Sequence, residues 1–386
     1  MKQIVCISST NWHPQPTRKQ QVMGRLKDCE IIYFDPPISK IAPMKDETLK
    51  PRLEAWKGEG EKINDHITVY ALPPVWPFYN KYRYINRQNQ KKLAGYINKI
   101  IKKHGFDKPI IWTYLPNSCD LIKHIPNSGV IYDCIDRHSA YKGLINPKVV
   151  DRMEEDLAGK ANAAFCTTKG LEERISKFNK KVKLVPNGAA YELFSRAAHL
   201  SEIPFPPPDD MFNIKGPVLG FFGALQECID YSLIAHAAKC NPAWSFVLIG
   251  KTLPGVDLSE LSGLQNVHLL GFKPYKELPQ YLAYMDVCLN LFKSGDLAKE
   301  VSPLKFYEYL ATGKPIVSTP QPDQVNDYAE IIYIADGKEQ FEEKCRQAIG
   351  EKSAWHVSRR MEAGKAASWD VRVMEMERYL KENRIF

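Results

Sequence analysis

Short apolar runs alternate with amphipathic stretches along the first half of the chain. Many of the runs are rich in β-branched residues and have the length of a buried strand. They predict strands at Gln3–Ser8, Ile31–Phe34, Ile67–Leu72, Pro109–Thr113, Gly129–Asp133, Ala163–Thr167 and Val182–Val185. Helical spacing between the later runs predicts helices at Asn86–Lys103, Val149–Gly159 and Gly170–Phe178. Because such alternation favours a parallel sheet with helices on its faces, an α/β domain is predicted.

A proline-rich stretch at 203–210 then interrupts the pattern. Proline supplies no amide hydrogen and restrains the residue before it, so neither a helix nor a central strand continues through this stretch. We therefore predict an N-terminal domain at 1–195, a linker at 196–214 and a C-terminal domain at 215–365. The remaining residues, 366–386, read as a capped amphipathic helix that we expect to pack back towards the N-terminal domain.

The alternation restarts after the linker. It predicts strands at Val218–Phe222, Ser245–Ile249, Val267–Leu270, Val287–Asn290, Pro315–Ser318 and Ile331–Ile334, and helices at Tyr231–Lys239, Lys276–Tyr284, Pro303–Thr312 and Lys338–Ile349. Two doubly wound parallel sheets in tandem are the predicted fold. Such sheets bind ligands at the carboxyl ends of their strands, so we expect the site in a cleft between the domains.

Composition narrows the class of protein. Apolar residues make up 44% of the chain and charged residues 25%, as in a soluble globular protein. No apolar stretch is long enough to span a membrane and the amino end is too short for a signal peptide, so a cytoplasmic location is predicted. Nine cysteines without a C-x-x-C pair indicate neither a disulfide framework nor a structural metal. Cys6, Cys166 and Cys288 are predicted to be small core residues.

Charge is distributed unevenly. Residues 1–200 hold 33 Lys and Arg against 20 Asp and Glu, a balance of +13, whereas residues 201–386 hold 20 against 25, a balance of −5. The segment Lys81–Lys103 has eight basic residues and no acid, and it follows the aromatic stretch Pro74–Tyr79. One interpretation is that these two segments attach the protein to an anionic membrane surface. The other is that the basic helix face is solvated and that the Trp and Phe side chains are buried in the core. No nucleic-acid-binding module accompanies the basic charge, so no nucleic acid partner is predicted.

The strongest local signal lies at 300–317, which reads EVSPLKFYEYLATGKPIV. Ser302 is predicted to be the N-cap of a helix, Pro303 its first residue and Gly313 its left-handed stop. The free amides of the first turn, from Ser302 to Lys305, and the helix dipole make a seat for an anion, to which Lys305 adds a full charge. These features predict a phosphate site.

An acid follows one turn later. Glu308 lies on roughly the same face as Leu304, and a carboxylate there can accept hydrogen bonds from the two hydroxyls of a ribose. A pyrophosphate on the amides with a ribose on the carboxylate describes a nucleoside diphosphate.

These residues carry a resemblance to a known family. Glu300 and Glu308, separated by seven residues and followed by Tyr-Leu-Ala-x-Gly-Lys-Pro-Ile-Val, resemble the E-x7-E signature of family 4 glycosyltransferases. Fragments in the same order also resemble the family: Leu184–Gly188, Tyr191–Phe194, Val218–Gly223, Val267–Phe272 and Ala283–Val287. Tyr132–Asp136 is most similar to bacterial cell-wall and exopolysaccharide members such as the teichuronic acid glycosyltransferases. The resemblance implies the GT-B fold, with two Rossmann-like domains facing a central cleft. It also implies that the N-terminal domain, 1–195, binds the acceptor and that the C-terminal domain, 215–365, binds the nucleotide sugar.

The resemblance also implies roles for residues. Glu308 would bind the ribose, Glu300 would lie near the sugar hydroxyls, and the turn from Ser302 through Pro303 and Leu304 to Lys305 would meet the pyrophosphate. Gly223 would let the chain pass close to the donor phosphates, Phe272 and Lys273 would flank the base, and we add Lys251 to the donor side. The resemblance further implies that the configuration at the anomeric carbon of the sugar is retained. No isolated D-x-D follows a predicted strand, so neither a metal nor another cofactor is expected.

Acceptor contacts are predicted at two loops. If the reaction uses a protein base, the predicted catalytic group near the acceptor is Asp136 or His138, after the strand Gly129–Asp133, although a surface histidine is the commoner explanation for His138. The loop after the first strand is predicted to bind an acceptor phosphate through polar and basic residues, namely Asn11, Trp12, His13 and Arg18. The alternative is that this loop is only solvated.

Two other nucleotide-binding motifs are excluded. The stretch ending at Lys251 mimics the end of a P-loop, but Ser245 stands where its first glycine belongs. No G-x-G-x-x-G follows the first strand, which argues against a dehydrogenase.

Three functions stay open from the sequence. The first is a hexosyltransferase-type enzyme of cell-envelope polysaccharide synthesis, which uses a UDP- or GDP-sugar and a glycan or polyprenyl-diphosphate-linked acceptor, in the cytoplasm or at the inner face of the membrane. The second is a GT-B epimerase that acts on a nucleotide sugar. The third is a catalytically silent scaffold that binds nucleotide sugars.

Overall fold

Parallel sheets form where the apolar runs predict strands, one in each of two units of the chain. In this computed structural model, unit 1 comprises Met1–Pro186 with Val373–Phe386, and unit 2 comprises Asn187–Arg372. The structure describes residues 1–44, 46–141, 143–202, 206–295 and 300–386. The predicted linker 196–214 lies inside unit 2, where Arg196–Glu202 is helical, and its residues 203–205 lie outside the described residues.

Unit 1 contains an eight-stranded sheet. Its strands are β1 Lys2–Ile7, β2 Cys29–Asp35, β3 Glu61–Lys62, β4 Ile67–Ala71, β5 Ile110–Thr113, β6 Gly129–Cys134, β7 Ala163–Cys166 and β8 Val182–Leu184. Its helices are α1 Arg18–Met23, α2 Arg83–Lys103, α3 Pro147–Lys160 and α4 Lys169–Ile175. The strand order is β3-β4-β2-β1-β5-β6-β7-β8, and only the pairing of β3 with β4 is antiparallel among the described strands. The order changes direction between β1 and β5, which is the switch point where such sheets bind ligands.

Unit 2 contains a six-stranded parallel sheet. Its strands are β9 Val218–Phe222, β10 Ser245–Ile249, β11 Val267–Gly271, β12 Val287–Asn290, β13 Ile316–Ser318 and β14 Tyr333–Ile334. Its helices are α5 Tyr191–Phe194, α6 Arg196–Glu202, α7 Tyr231–Cys240, α8 Leu278–Ala283, α9 Leu304–Thr312, α10 Lys338–Ile349 and α11 Ala354–Ala366, and α12 spans Trp369–Glu382. The order β11-β10-β9-β12-β13-β14 places the switch point between β9 and β12.

Both faces of the unit 2 sheet are buried. Along β9, Val218 and Phe222 belong to one apolar core while Leu219 and Phe221 belong to another. Because successive strand side chains point to opposite faces, the two cores lie on the two sides of the sheet. This arrangement confirms the predicted doubly wound fold for unit 2.

Several local predictions differ from the structure. Helices α1, α5, α6 and α11 were not predicted, and the helix predicted at Lys276–Tyr284 begins as a 3-10 turn at Tyr275–Glu277 before α8. The predicted core cysteines Cys6, Cys166 and Cys288 are confirmed as fully buried. Among the described residues, every helix is too short or too polar to cross a lipid bilayer.

Candidate functional site

Three glycines stand side by side at the carboxyl ends of neighbouring strands in unit 2. Gly223 follows β9, Gly250 follows β10 and Gly271 ends β11, with φ angles of 130°, 152° and 66°. The Gly223 amide donates to the Ile249 carbonyl at 2.9 Å, and the Gly250 amide donates to the Gly271 carbonyl at 2.8 Å. A Cβ on Gly250 would lie 1.9 Å from the Gly223 carbonyl oxygen. This edge is therefore bare backbone, because the positive φ angles favour glycine at all three positions and a side chain on Gly250 would also clash with the Gly223 backbone.

The Lys305 side chain lies against this edge. Its Nζ is 4.2 Å from the centroid of the Phe221 ring and 5.4 Å from that of Phe292, beside the switch point. A Cβ on Gly223 would lie 2.9 Å from the Lys305 Cε. Burial lowers the pKa of Lys305 to about 8, against the opposing effects of Cys228 and Glu308. Within the described parts of the chain, the ammonium has no hydrogen bond or ion pair, so it is available to an anion.

Helix α9 begins one residue before this lysine, and no described side chain caps its start by a hydrogen bond. Its N-cap is Pro303, with φ −75° and ψ 115°, and no side chain among the described residues caps the helix. The prediction that Ser302 is the N-cap was wrong, because Ser302 contacts Asn187 instead. The Asn187 amide donates to Ser302 Oγ at 3.2 Å, and Asn187 Nδ2 donates to the Ser302 carbonyl at 2.7 Å.

The set of available amides also needs correction. Pro303 has no N–H and cannot donate to a phosphate, so the first helical amides are those of Leu304, Lys305 and Phe306. The left-handed stop at Gly313 is confirmed, with φ 71° and ψ −4°.

Glu308 lies on the same face as Lys305, three residues further along α9. Its side chain is 4% exposed, and the Tyr275 hydroxyl donates to its Oε1 at 2.5 Å. Burial raises the pKa of Glu308 to about 7, although the Tyr275 hydrogen bond and Lys305 lower it. The carboxyl group is thus held ready to ionise when hydrogen-bond donors arrive.

The other residues predicted to bind the nucleotide-sugar donor differ in their exposure and contacts. Phe272 is 51% exposed, and Lys251 is exposed while its carbonyl accepts from the Leu225 amide at 3.0 Å. Lys273 pairs with Asp210, with Nζ 2.5 Å from Oδ2. Glu300 is half-buried and directly follows residues 296–299, which lie outside the described residues. The donor roles of these residues stay predictions.

In unit 1, His138 and Asp136 lie after β6, as predicted. The His138 Nε2 is 3.0 Å from the Tyr114 carbonyl oxygen, so Nε2 carries the proton and Nδ1 is the acceptor nitrogen of the neutral ring. Burial lowers the pKa of His138, which favours that neutral form. The Tyr141 hydroxyl donates to Asp136 Oδ2 at 2.9 Å. A neutral imidazole of this tautomer has the form of a general base.

The predicted acceptor loop is held by contacts inside unit 1. Arg18 is 2% exposed and donates from Nε to both oxygens of Asp133 at 3.0 Å. Asn11 Oδ1 accepts from Arg52 at 2.9 Å, the Trp12 amide donates to Asp35 at 2.8 Å, and His13 lies 3.1 Å from Glu61. Arg18 therefore has a strong structural partner, and the acceptor role of these four residues stays a prediction.

Several neighbours of the predicted site were not identified from the sequence. Tyr275, which contacts Glu308, and Asn187, which contacts Ser302, lie far from them along the chain. Lys19, next to Arg18, is 6% exposed and holds its Nζ 5.7 Å from the centroid of the Tyr114 ring. Two residues had a readable signal: Asn187 lies in the Leu184–Gly188 fragment, and Gly250 follows a strand as Gly223 does.

Three side chains among the described residues lie close enough together to hold a cation. His236 and Cys240 on α7 and Glu342 on α10 each offer a ligand atom, all within 4.8 Å of one another. Arg346 also donates to Glu342 at 2.8 Å, which opposes a cation there. None of the three belongs to α9, and the expectation that the reaction needs no metal stays a prediction.

Comparison with known proteins adds family information. Residues 216–351 match the family described as Glycosyl transferases group 1. The chain is 30% identical over 238 residues to a Bacillus subtilis (strain 168) protein named as the teichuronic acid biosynthesis glycosyltransferase TuaH. This match covers 58% of the chain and spans 59% of the length of TuaH, which is less than two thirds of that relative.

Solved structures resemble the whole chain. HepE of Anabaena in complex with UDP and glucose has a TM-score of 0.66 at 14% identity, and the match covers 99% of each chain. Sucrose-phosphate synthase of Thermosynechococcus elongatus has a TM-score of 0.71 at 13% identity, again over 99% of each chain. At such low identity these matches establish the fold alone, and that fold is GT-B.

Proposed function

We propose, from the premise that residues 216–351 form a glycosyl transferases group 1 domain, that this protein is a glycosyltransferase that uses a nucleoside diphosphate sugar. The observation that carries the proposal is the Lys305 ammonium, which no described residue pairs, in the first turn of α9, whose start no described side chain caps. Free amides and a full positive charge at one switch point form a seat suited to a diphosphate.

In this proposal the diphosphate binds the amides of Leu304, Lys305 and Phe306 and the Lys305 ammonium. The ribose hydroxyls donate to Glu308, whose carboxylate has about four lone-pair sites and so can bind them together with Tyr275. These donors favour the ionised form of Glu308. Gly223 lets the backbone approach the phosphates, and Phe272, Lys273 and Lys251 lie on the base side.

The chemical step requires stabilisation of the departing phosphate. As the bond between the anomeric carbon and the phosphate oxygen breaks, negative charge grows on the oxygen that Lys305 and the fixed amides face. These groups supply the positive charge without a metal. We propose retention at the anomeric carbon, with the acceptor proton passing to the leaving phosphate and Glu300 near the sugar hydroxyls. Should a protein base take part, neutral His138, with Asp136 nearby, is our candidate.

The relatives indicate the substrate class. TuaH is named for teichuronic acid biosynthesis, and the HepE structure contains UDP and glucose. We therefore propose a role in cell-envelope polysaccharide synthesis, with a UDP-sugar ahead of a GDP-sugar as donor. The acceptor would be a glycan or a polyprenyl-diphosphate-linked glycan at the cytoplasmic face of the membrane.

Thermal unfolding with UDP and GDP tests the proposal. We expect one of them to stabilise the wild type, and Glu308→Ala to weaken this stabilisation by about 1–3 kcal/mol through lost hydrogen bonds to a charged group. Glu330→Ala removes an exposed acid of the same unit and serves as the matched control. Equal stabilisation of wild type and Glu308→Ala, or none of the wild type, would refute the nucleotide site.

A further inference from the structure

Two helices of unit 2 bring three side chains with different ligand atoms to one place. His236 and Cys240 are four positions apart on α7, so they lie on one face of that helix, and Glu342 comes from α10. Both helices pack on the same side of the sheet, because Ile234 of α7 and Phe341 of α10 belong to one apolar core. An imidazole, a thiol and a carboxylate therefore meet through the fold of unit 2, although they are distant along the chain.

The distances between the ligand atoms suit one small ion. His236 Nε2 lies 3.9 Å from Cys240 Sγ and 3.6 Å from Glu342 Oε2, and all the ligand atoms lie within 4.8 Å of one another. A tetrahedral Zn²⁺ site, with bonds of about 2.3 Å to sulfur and about 2.1 Å to nitrogen and oxygen, holds its ligand atoms about 3.4 to 3.6 Å apart. Side-chain movements of about 1 Å would therefore complete the coordination geometry.

The surroundings of these side chains allow a cation to enter and favour its charge. The side chains of His236 and Glu342 are 27% and 22% exposed, and Cys240 is exposed, so solvent reaches all three. Helix α7 ends at Cys240, and its last two turns carry both the imidazole and the thiol. The carboxyl end of a helix is the negative end of its dipole and favours a cation.

Arg346 binds one oxygen of the Glu342 carboxylate and leaves the other to face the imidazole of His236. Arg346 donates to Glu342 Oε1 at 2.8 Å and to Asn241 Oδ1 at 3.1 Å, and its Cζ lies 5.3 Å from the centroid of the Trp244 ring. Oε2 is the oxygen that faces His236. The arginine charge opposes a cation that depends on oxygen ligands, such as Mg²⁺. A cation that bonds mainly to thiolate sulfur and imidazole nitrogen is less affected.

We propose that His236, Cys240 and Glu342 bind Zn²⁺ or a similarly soft divalent cation. On binding, the thiol of Cys240 releases its proton to solvent and the thiolate bonds to the metal, together with Nε2 of the neutral imidazole and Oε2 of the carboxylate. A water molecule completes the tetrahedral shell.

This cation is separate from the donor site and holds two helices together. Helix α7 ends shortly before β10 begins at Ser245, so Cys240 lies towards the amino ends of the strands, away from the edge formed by the three glycines. The metal joins α7 to α10 and thereby stabilises the folded form of unit 2.

Absorption titration of the full chain, free of any affinity tag and kept reduced, tests the site with Co²⁺ as a spectroscopic substitute for Zn²⁺. We expect a thiolate-to-metal charge-transfer band that Zn²⁺ displaces and that Cys240→Ser abolishes. His236→Gln and Glu342→Gln should each weaken the Co²⁺ affinity on the order of tenfold or more, because each removes a ligand. Cys228→Ser at another exposed cysteine and Glu339→Gln at an exposed acid of α10 should leave the affinity unchanged.

Thermal unfolding with Zn²⁺ gives a second measurement. A metal that binds the folded chain should raise the unfolding temperature of the wild type by a few degrees and leave that of Cys240→Ser unchanged. The proposal is overturned by a wild type without the charge-transfer band, by a band that persists in Cys240→Ser or is lost in Cys228→Ser, or by equal thermal shifts in wild type and Cys240→Ser. Affinity that neither His236→Gln nor Glu342→Gln reduces would also overturn it. None of these measurements involves UDP, so their outcome is independent of the proposed function.

Discussion

Lys305 and Glu308 carry charges that the ligand-free protein does not stabilise well. Burial moves the pKa of Lys305 down to about 8 and that of Glu308 up to about 7. Each shift means that the charged form is costly in the folded chain. Groups held in this state gain more from a bound diphosphate and ribose than groups already paired within the protein.

Stability at different pH values tests this view of Glu308. The pKa of about 7 in the folded chain lies above the ordinary value of 4.5, so the favourable contribution of the protonated carboxyl is fully present below about pH 4.5. It is lost as the pH rises through 7. We expect the free energy of unfolding of the wild type to fall relative to Glu308→Gln between pH 5 and 8, by up to roughly 3 kcal/mol.

Urea unfolding at each pH measures this difference, and Glu330→Gln at an exposed site is the control. Parallel curves for wild type and Glu308→Gln over this range would contradict the argument.

At the scale of elements, α9 is positioned by close backbone packing against α11. A Cβ on Gly364 of α11 would lie 2.5 Å from the Ala311 amide nitrogen of α9, so only glycine fits without movement. The Tyr309 hydroxyl accepts from the Phe222 amide at 3.0 Å and ties α9 to β9. These contacts fix the helix that carries Lys305 and Glu308 beside the glycine edge.

Two helical glycines make a matched pair for testing this packing. Gly364→Ala should destabilise the protein by about 1–3 kcal/mol because backbone must move. Gly95→Ala on α2 has no atom within 4 Å of the new methyl group and should stabilise by about 0.5–1 kcal/mol. Urea unfolding of both variants gives the two signs. Similar effects in both would mean that helix propensity, rather than packing, decides the outcome.

At the scale of the whole molecule, the uneven charge suggests a surface for anionic lipid. The basic residues along α2 include the exposed Lys91 and Lys92, and Trp76 is 59% exposed, so the predicted core plug is wrong for Trp76. Lys40 lies over the Trp76 ring with Nζ 3.9 Å from its centroid. The membrane interpretation requires exposed aromatic and basic side chains of this kind, and it stays a prediction.

Co-sedimentation with liposomes tests this interpretation. We expect binding to rise with the fraction of anionic lipid and to fall as salt shortens the Debye length from about 10 Å at 0.1 M towards 3 Å at 1 M. Replacing Lys91 and Lys92 by Gln should weaken binding by about 1 kcal/mol per charge. The same change at the exposed Lys177 and Lys180 is the control. Binding that ignores lipid charge and salt would rule out an electrostatic anchor.

The sequence by itself determined the features that depend on neighbouring residues. Apolar runs predicted most strands of both sheets because a buried strand leaves a local pattern. Gly313 was predicted as the left-handed stop of α9, since glycine adopts positive φ without strain. The fixed period of the helix likewise predicted that Glu308 lies one turn beyond Leu304 on roughly the same face.

Only the tertiary structure decided which distant groups meet. Tyr275 contacts Glu308 across 33 positions and Arg18 contacts Asp133 across 115, and no local pattern records either pairing. The Tyr275 hydrogen bond contributes to the pKa of Glu308. The Asp133 contact gives Arg18, which was predicted to bind the acceptor, a structural partner inside the protein. Strand order brings such residues together, and that order follows from how the whole chain packs its apolar faces.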